Sequence, residues 1–193
     1  MLKADWEALL KTWSAKVSDC TSAESAGPFN GLGQDGATEE QLVAVEARLG
    51  CTLPPSYREF LRATNGLLQP PNGGAARGGD FWSADELDWF AKRNGDWIET
   101  YDGFDPPDEL YFVYGDSQDT VHFRSNYLRA ALELTHDGDS SVYLLNHLVV
   151  NEDGEWEAWH FANWHPGAAR YRSFAEMMLT HYQDSVDHGI DGF

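Results

Sequence analysis

Cysteine is scarce: Cys20 and Cys51 are the only two in 193 residues, far apart and without a Cys-x-x-Cys. That argues against a disulfide scaffold and against a thiolate zinc site. Basic residues are scarce as well, 13 Lys and Arg against 32 Asp and Glu, for a formal charge of −19. Phosphate backbones are held by Lys and Arg, so nucleic acid is a poor partner, and an anionic membrane surface is disfavoured on the same ground. No apolar run approaches the roughly 20 residues that span a bilayer. The start, MLKADWEALLKTW, has charges inside an amphipathic pattern rather than the unbroken apolar stretch of a secretory signal. The expected location is the cytoplasm.

Catalytic signatures are missing too. The chain has no Gly-rich phosphate loop, no G-x-S-x-G and no H-E-x-x-H. Cys51, between Leu49 and Leu53, reads as a small buried hydrophobe rather than a nucleophile. The histidines, with His160 and His165 flanking an aromatic stretch and His181 and His188 seven apart, show no tight ligand spacing. Asp137-Gly138-Asp139 and the run from Asn151 to Glu155 resemble fragments of calcium loops, but neither completes the pattern, and turn chemistry accounts for both. The expectation is a protein with no catalytic residues, no cofactor and no metal.

What is present is a core. Hydrophobic residues make up 42% of the chain, including eight Trp, eight Tyr and ten Phe, enough for one ordinary domain spanning 1–193. Leu2, Trp6, Leu9, Leu10, Trp13 and Val17 draw one helical stripe. Residues 21–37 read as a loop. Thr38 with Gln41 forms a capping box ahead of Leu42, Val45 and Leu49, and Gly50 stands where a left-handed cap belongs. Pro54-Pro55 opens a helix carrying Tyr57, Phe60 and Leu61, which Asn65-Gly66 ends. Residues 69–79 read as a connection. Ser83 with Glu86 predicts another capped helix, with Leu87 and Phe90 inward and a stop at Asn94-Gly95, and 96–109 read as mostly loop.

From residue 109 the period shortens. Strands are predicted over 109–114, 120–124 and 130–135, then over 142–150, the most apolar run, and, after a turn at 151–154, over 155–161. Ser173 and Glu176 cap a last helix with Phe174, Met177, Met178 and Tyr182. Helices near 2–17, 38–49, 55–64 and 173–183 around a block of hairpin-linked strands make an α+β domain, with helices packed on one side of a mainly antiparallel sheet.

The segment 36–68, GATEEQLVAVEARLGCTLPPSYREFLRATNGLL, resembles the signature of the SUKH superfamily. The resemblance rests on Gly36-Ala37-Thr38, Glu46 before Leu49-Gly50, Leu53-Pro54, Tyr57, Phe60-Leu61 and Asn65-Gly66. Farther on, Ser83 to Leu87, Gly138-Asp139 with Val142 to Leu145, Glu155-Trp156 with Trp159, and Ser173 to Glu176 are similar to later family elements. The chain departs from the pattern in a longer, more acidic 69–109 and in Ser140-Ser141 after Asp139. The superfamily's founder is a yeast cell-wall synthesis regulator, and its many bacterial members include immunity proteins of polymorphic toxin systems. The resemblance therefore implies a non-catalytic protein that binds and neutralises a cognate toxin, with a regulatory protein-binding scaffold as the alternative.

Charge points to where such a partner would sit. Between Asp80 and Asp119 twelve acids face only Lys92 and Arg93, a local charge of −10, with Trp82, Trp89, Trp97, Tyr101 and Phe104 interleaved. One reading makes Asp85, Asp88, Trp89, Asp96, Trp97, Glu99, Asp102 and Asp105 a face for a basic toxin, where charge steers and aromatics anchor. The other makes it a solvated loop whose aromatics point into the core. The toxin would be basic because enzymes acting on nucleic acid need a basic groove. The protein itself is expected to be a monomer or weak dimer.

Overall fold

The computed structural model describes residues 1–20, 33–67, 79–138, 140–164 and 166–187. Its centre is a meander of five antiparallel strands in sequence order, β1 (Asp88–Trp89), β2 (Ala131–Glu133), β3 (Ser141–Val150), β4 (Trp156–Ala162) and β5 (Ala168–Tyr171). β3 is apolar over Val142–Leu145 because both of its faces are covered there, whereas Leu148 and Val150 farther along are exposed. Tyr143 and Leu145 pack on one side with Ala158 of β4, and Val142 and Leu144 on the other with Trp159 and Phe161.

Four helices cover the first face. α1 (Lys3–Cys20) buries Trp6, Leu10 and Trp13, while Leu2 stays exposed at its start. α2 (Glu39–Leu49) begins at the capping box, Gln41 N donating to Thr38 Oγ1 at 3.3 Å and Thr38 N to Gln41 Oε1 at 3.0 Å, and ends at Gly50 with φ 73°. α3 (Pro55–Ala63) presents Tyr57, Phe60 and Leu61, and α6 (Phe174–Asp187) brings Phe174, Met177 and Met178 against them. Phe174 meets Trp6, Tyr57 and Phe60 at ring separations of 5.4, 4.8 and 4.9 Å. Fully burying each such aliphatic or Phe side chain contributes roughly 1.5–3 kcal/mol.

The signature residues of 36–68 turn out to be joinery. Glu46 Oε1 accepts from Leu53 N at 3.0 Å and from Arg58 Nε at 3.2 Å, tying α2 to α3. A Cβ on Gly36 would stand 1.9 Å from the Arg62 carbonyl oxygen, so only glycine permits this approach.

The second face carries a layer that periodicity did not foretell. Its components are α4 (Gly95–Thr100), the single turn α5 (Asp108–Tyr111) and the 3-10 turns Phe90–Lys92, Gly115–Ser117 and Ser125–Ala130. The strands expected over 109–114 and 120–124 are absent, and 96–109 is partly helical. Pro106-Pro107 set φ for a helix start, and Asp108 and Glu109 fall in its first turn, where acids are favoured. The aromatic spacing there arises because Tyr111 and Phe123 plug the sheet face, not from a pleat.

The helix expected after Ser83 stops after one turn. Ser83 Oγ does donate to Glu86 Oε2 at 2.6 Å, and Leu87 N bonds Ser83 O. Asp88 and Trp89 then extend and pair with Glu133 and Leu132 of β2, whose edge offers them a ladder. β5 has no counterpart in the sequence pattern because Ala168–Tyr171 is only four residues long and carries an arginine among its inward residues. The remaining elements, including β2, β3 and β4, lie within a residue or two of their expected bounds, except that α1 and α6 run on by three and four residues.

Candidate protein-binding surface

Segment 79–130 packs Phe90, Trp97, Tyr101, Tyr111 and Phe123 against the sheet and leaves most of its carboxylates outside. Trp97 packs on Phe161 at 5.4 Å, and Tyr101 on Phe161 and Phe123 at 4.9 and 5.9 Å. Asp96 and Glu99 on α4, and Asp102 and Asp105 on the turn that follows, are exposed. Of the other four predicted residues, Asp85 is exposed and accepts from Gln41 Nε2 of α2 at 3.4 Å. Asp88 is half-buried on β1. Burial opposes its ionisation, but Lys92, 2.8 Å away, and the Trp89 N–H outweigh burial and hold its carboxyl below the usual value. Trp89 turns to the four-helix side, beside the His147 ring at 5.2 Å, whereas Trp97 belongs to the opposite layer. The two tryptophans thus serve different faces of the sheet, and the α4 acids are brought together without Asp85 and Asp88.

Beyond α4 the chain forms a lobe, residues 102–116, organised by Arg124. Its guanidinium pairs with Asp105 at 3.5 Å and with Asp108, and donates to Pro106 O at 3.1 Å. It also lies over the rings of Tyr111 and Phe112, 4.6 and 5.7 Å from their centroids. Desolvation opposes its charge, yet the bonds to Asp108 and Tyr127 prevail and hold Arg124 more firmly protonated than a free arginine. Ser125 brackets Phe104, its Oγ accepting from Phe104 N at 3.1 Å while its N donates to Phe104 O at 2.9 Å. Around this clamp Phe104, Leu110 and Phe112 remain exposed. Leu110 and Phe112 lie in the stretch 109–114, where periodicity predicts a strand. A proline pair followed by two acids was the signal for the turn they occupy.

Beneath the lobe lies a buried polar cluster. Glu157 of β4 accepts from the Tyr111 hydroxyl, from Tyr114 Oη at 2.8 Å, from Asn146 Nδ2 at 3.0 Å and from Trp159 Nε1 at 2.7 Å, with Arg170 Nη1 3.8 Å away. Arg170 of β5 donates to the carbonyls of Tyr111 and Val113. Burial first, and the Glu157 charge second, push both tyrosine hydroxyls far up, so they act as neutral donors. Glu133 of β2 plays the same part for the N-terminus of α4, accepting from Arg93 Nη1 at 3.0 Å and Asn94 Nδ2 at 2.9 Å. Both carboxylates sit on the second face and fasten its layer to the sheet. Each is engaged by donors, the arrangement of an anchor rather than of a general acid facing a substrate. Burial also pushes up the half-buried Cys51 thiol, with Glu46 adding to the effect, which disfavours the nucleophilic thiolate. Among the described residues no group of His, Cys, Asp and Glu could hold a metal ion, and no helix is long and apolar enough to cross a membrane.

Comparison with known families matches residues 36–180 to the SMI1 / KNR4 family (SUKH-1). No curated protein matches the chain. The matched span runs from the Gly36 approach through α2, α3, the acidic layer and the whole sheet into α6, so the Glu46 joint and the anchored lobe both lie inside it. A match over that much of the chain, on a five-strand antiparallel sheet with its helices, settles the matter: the chain belongs to the SMI1/KNR4 family, SUKH-1.

Proposed function

We propose that this chain is a non-catalytic immunity protein of the cytoplasm that binds a cognate basic bacterial toxin and neutralises it by occlusion. The observation that carries the reading is the layer over the second sheet face. It presents Asp96, Glu99, Asp102 and Asp105 to solvent on a protein of net charge −19. A field of that sign speeds the encounter with a basic groove and disfavours acidic partners. Family membership supports it, since SUKH proteins include immunity proteins. The engagement of Glu157 and Glu133 by structural donors supports a binding role over a hydrolytic one. The alternative is a regulatory scaffold that binds protein without blocking an active site.

The test is neutralisation. Toxin domains encoded beside this reading frame are produced in a bacterial host with and without the chain. The expected result is restored growth and a stable stoichiometric complex in which the toxin's activity is lost. A complex in which the toxin remains fully active would replace immunity with the scaffold reading.

A further inference from the structure

Nine large hydrophobic side chains are exposed among the described residues, and three of them, Phe104, Leu110 and Phe112, fall within nine positions of one another on the lobe. The same lobe and the turn after it, residues 102–119, hold six acids and neither Lys nor Arg. Asp102, Asp105, Asp108 and Glu109, interspersed with the three apolar residues, are all exposed. Apolar groups left in water beside a dense field of one sign are unfavourable unless something covers them, and the field states the charge of what does.

The lobe is also held ready. Arg124 clamps Asp105 and Asp108 beneath the Phe112 ring, Phe104 stacks on buried Phe123 at 5.3 Å, and Tyr111 is fixed from below by Glu157 and Arg170. Little ordering remains to be done on binding, which is what a rigid docking face requires.

We propose that Phe104, Leu110 and Phe112, interspersed with the exposed Asp102, Asp105, Asp108 and Glu109, are the docking face for a basic protein, which receives the three side chains in an apolar recess rimmed by Lys and Arg. This rests on the protein-binding reading above and moves its anchor. Trp89 and Trp97 are partly buried against opposite cores, on different faces of the sheet, so the lobe rather than the tryptophans supplies the main apolar contact.

The experiment uses two Lys-rich peptides of equal length and charge, one interrupted by Trp and Leu and the other by Ser, with binding to the full chain followed by fluorescence anisotropy. The expected result is that the wild type prefers the Trp/Leu peptide by about tenfold, the effect of an apolar anchor at a hot spot. L110S/F112S should erase that preference while still binding the Ser peptide, and D102K/E109K should weaken both peptides. Because a double apolar change can disturb packing, Leu110→Ser alone, at a residue 41% exposed, is measured beside it with the unfolding midpoint of each variant. Equal affinity of the wild type for the two peptides, or a preference untouched by the Leu110 and Phe112 changes, overturns the proposal. The immunity reading fails separately. Neutralisation of a toxin by L110S/F112S at an unchanged affinity would remove the docking face and leave immunity standing. A peptide preference that these changes erase, in a protein that neutralises no toxin, would keep the docking face and remove immunity.

Discussion

Glu157 illustrates how a single buried charge is made tolerable. Four donors and the Arg170 guanidinium surround its carboxylate, so removing it leaves a buried cation without its counter-ion and several polar hydrogens without an acceptor. Glu157→Leu should therefore cost about 3–5 kcal/mol, the penalty for breaking a buried pair from one side, against about 1 kcal/mol for Tyr114→Phe, which deletes one bond. Urea unfolding of the two variants checks the ratio. Glu133 makes the opposite point about pH. Burial, the largest influence, raises its carboxyl above the ordinary 4.5 despite Arg93 and Asn94. The folded state then holds the proton more tightly than the unfolded one. Its contribution is most favourable below 4.5 and declines as pH rises through the folded value. The stability of wild type minus that of Glu133→Gln should fall over that window when unfolding midpoints are compared pH by pH. A difference that grows with pH would mean that pairing with Arg93 outweighs burial.

At the scale of elements, the turns divide into those that need only a glycine's dihedral freedom and those that also need its lack of a side chain. Gly154, in the β3–β4 turn, has φ 77° and nothing near a would-be Cβ. Gly167, before β5, has a similar φ of 83°, but its Cβ would stand 2.0 Å from the Thr120 carbonyl oxygen. The backbones touch there because Ala168 N bonds that same oxygen, stitching the second-face layer to β5. Gly154→Ala should cost about 1–2 kcal/mol, the left-handed penalty alone. Gly167→Ala adds overpacking and should cost about 2–5 kcal/mol. Thermal unfolding of the pair separates the contributions. Capping chemistry shows the same dependence on neighbours. Thr38–Gln41 makes both bonds of the box and starts a real helix, whereas Ser83 shares only the bond from its N to the Glu86 carboxylate, turns its hydroxyl to that carboxylate as a donor, and the chain then leaves for the sheet.

At the scale of the molecule, a charge of −19 repels itself most in the compact state. Salt screens that repulsion, with a Debye length falling from about 30 Å at 0.01 M to about 10 Å at 0.1 M. The urea midpoint should accordingly rise over this range, and rise less in D102K/E109K, whose net charge is smaller. A midpoint independent of salt would show that local pairs such as Arg58 with Glu39 already compensate the field.

The sequence by itself determined the four-helix side, strands β2 to β4 and the family segment. Each is written in local code: an apolar stripe, a cap, a proline opening or a continuous apolar run. It also placed the acids of 80–119, since charge needs no fold to be counted. Only the tertiary structure decided which aromatics those acids accompany. Trp89, Trp97, Tyr101 and Tyr111 look alike along the chain, and each goes to whichever sheet face its backbone turn presents. Leu110 and Phe112 are outside because Tyr111 between them is drawn in by Glu157 and Arg170, residues of β4 and β5 some fifty positions away. A bond between partners so distant leaves no periodic trace, so the anchored lobe is legible only once the sheet has formed.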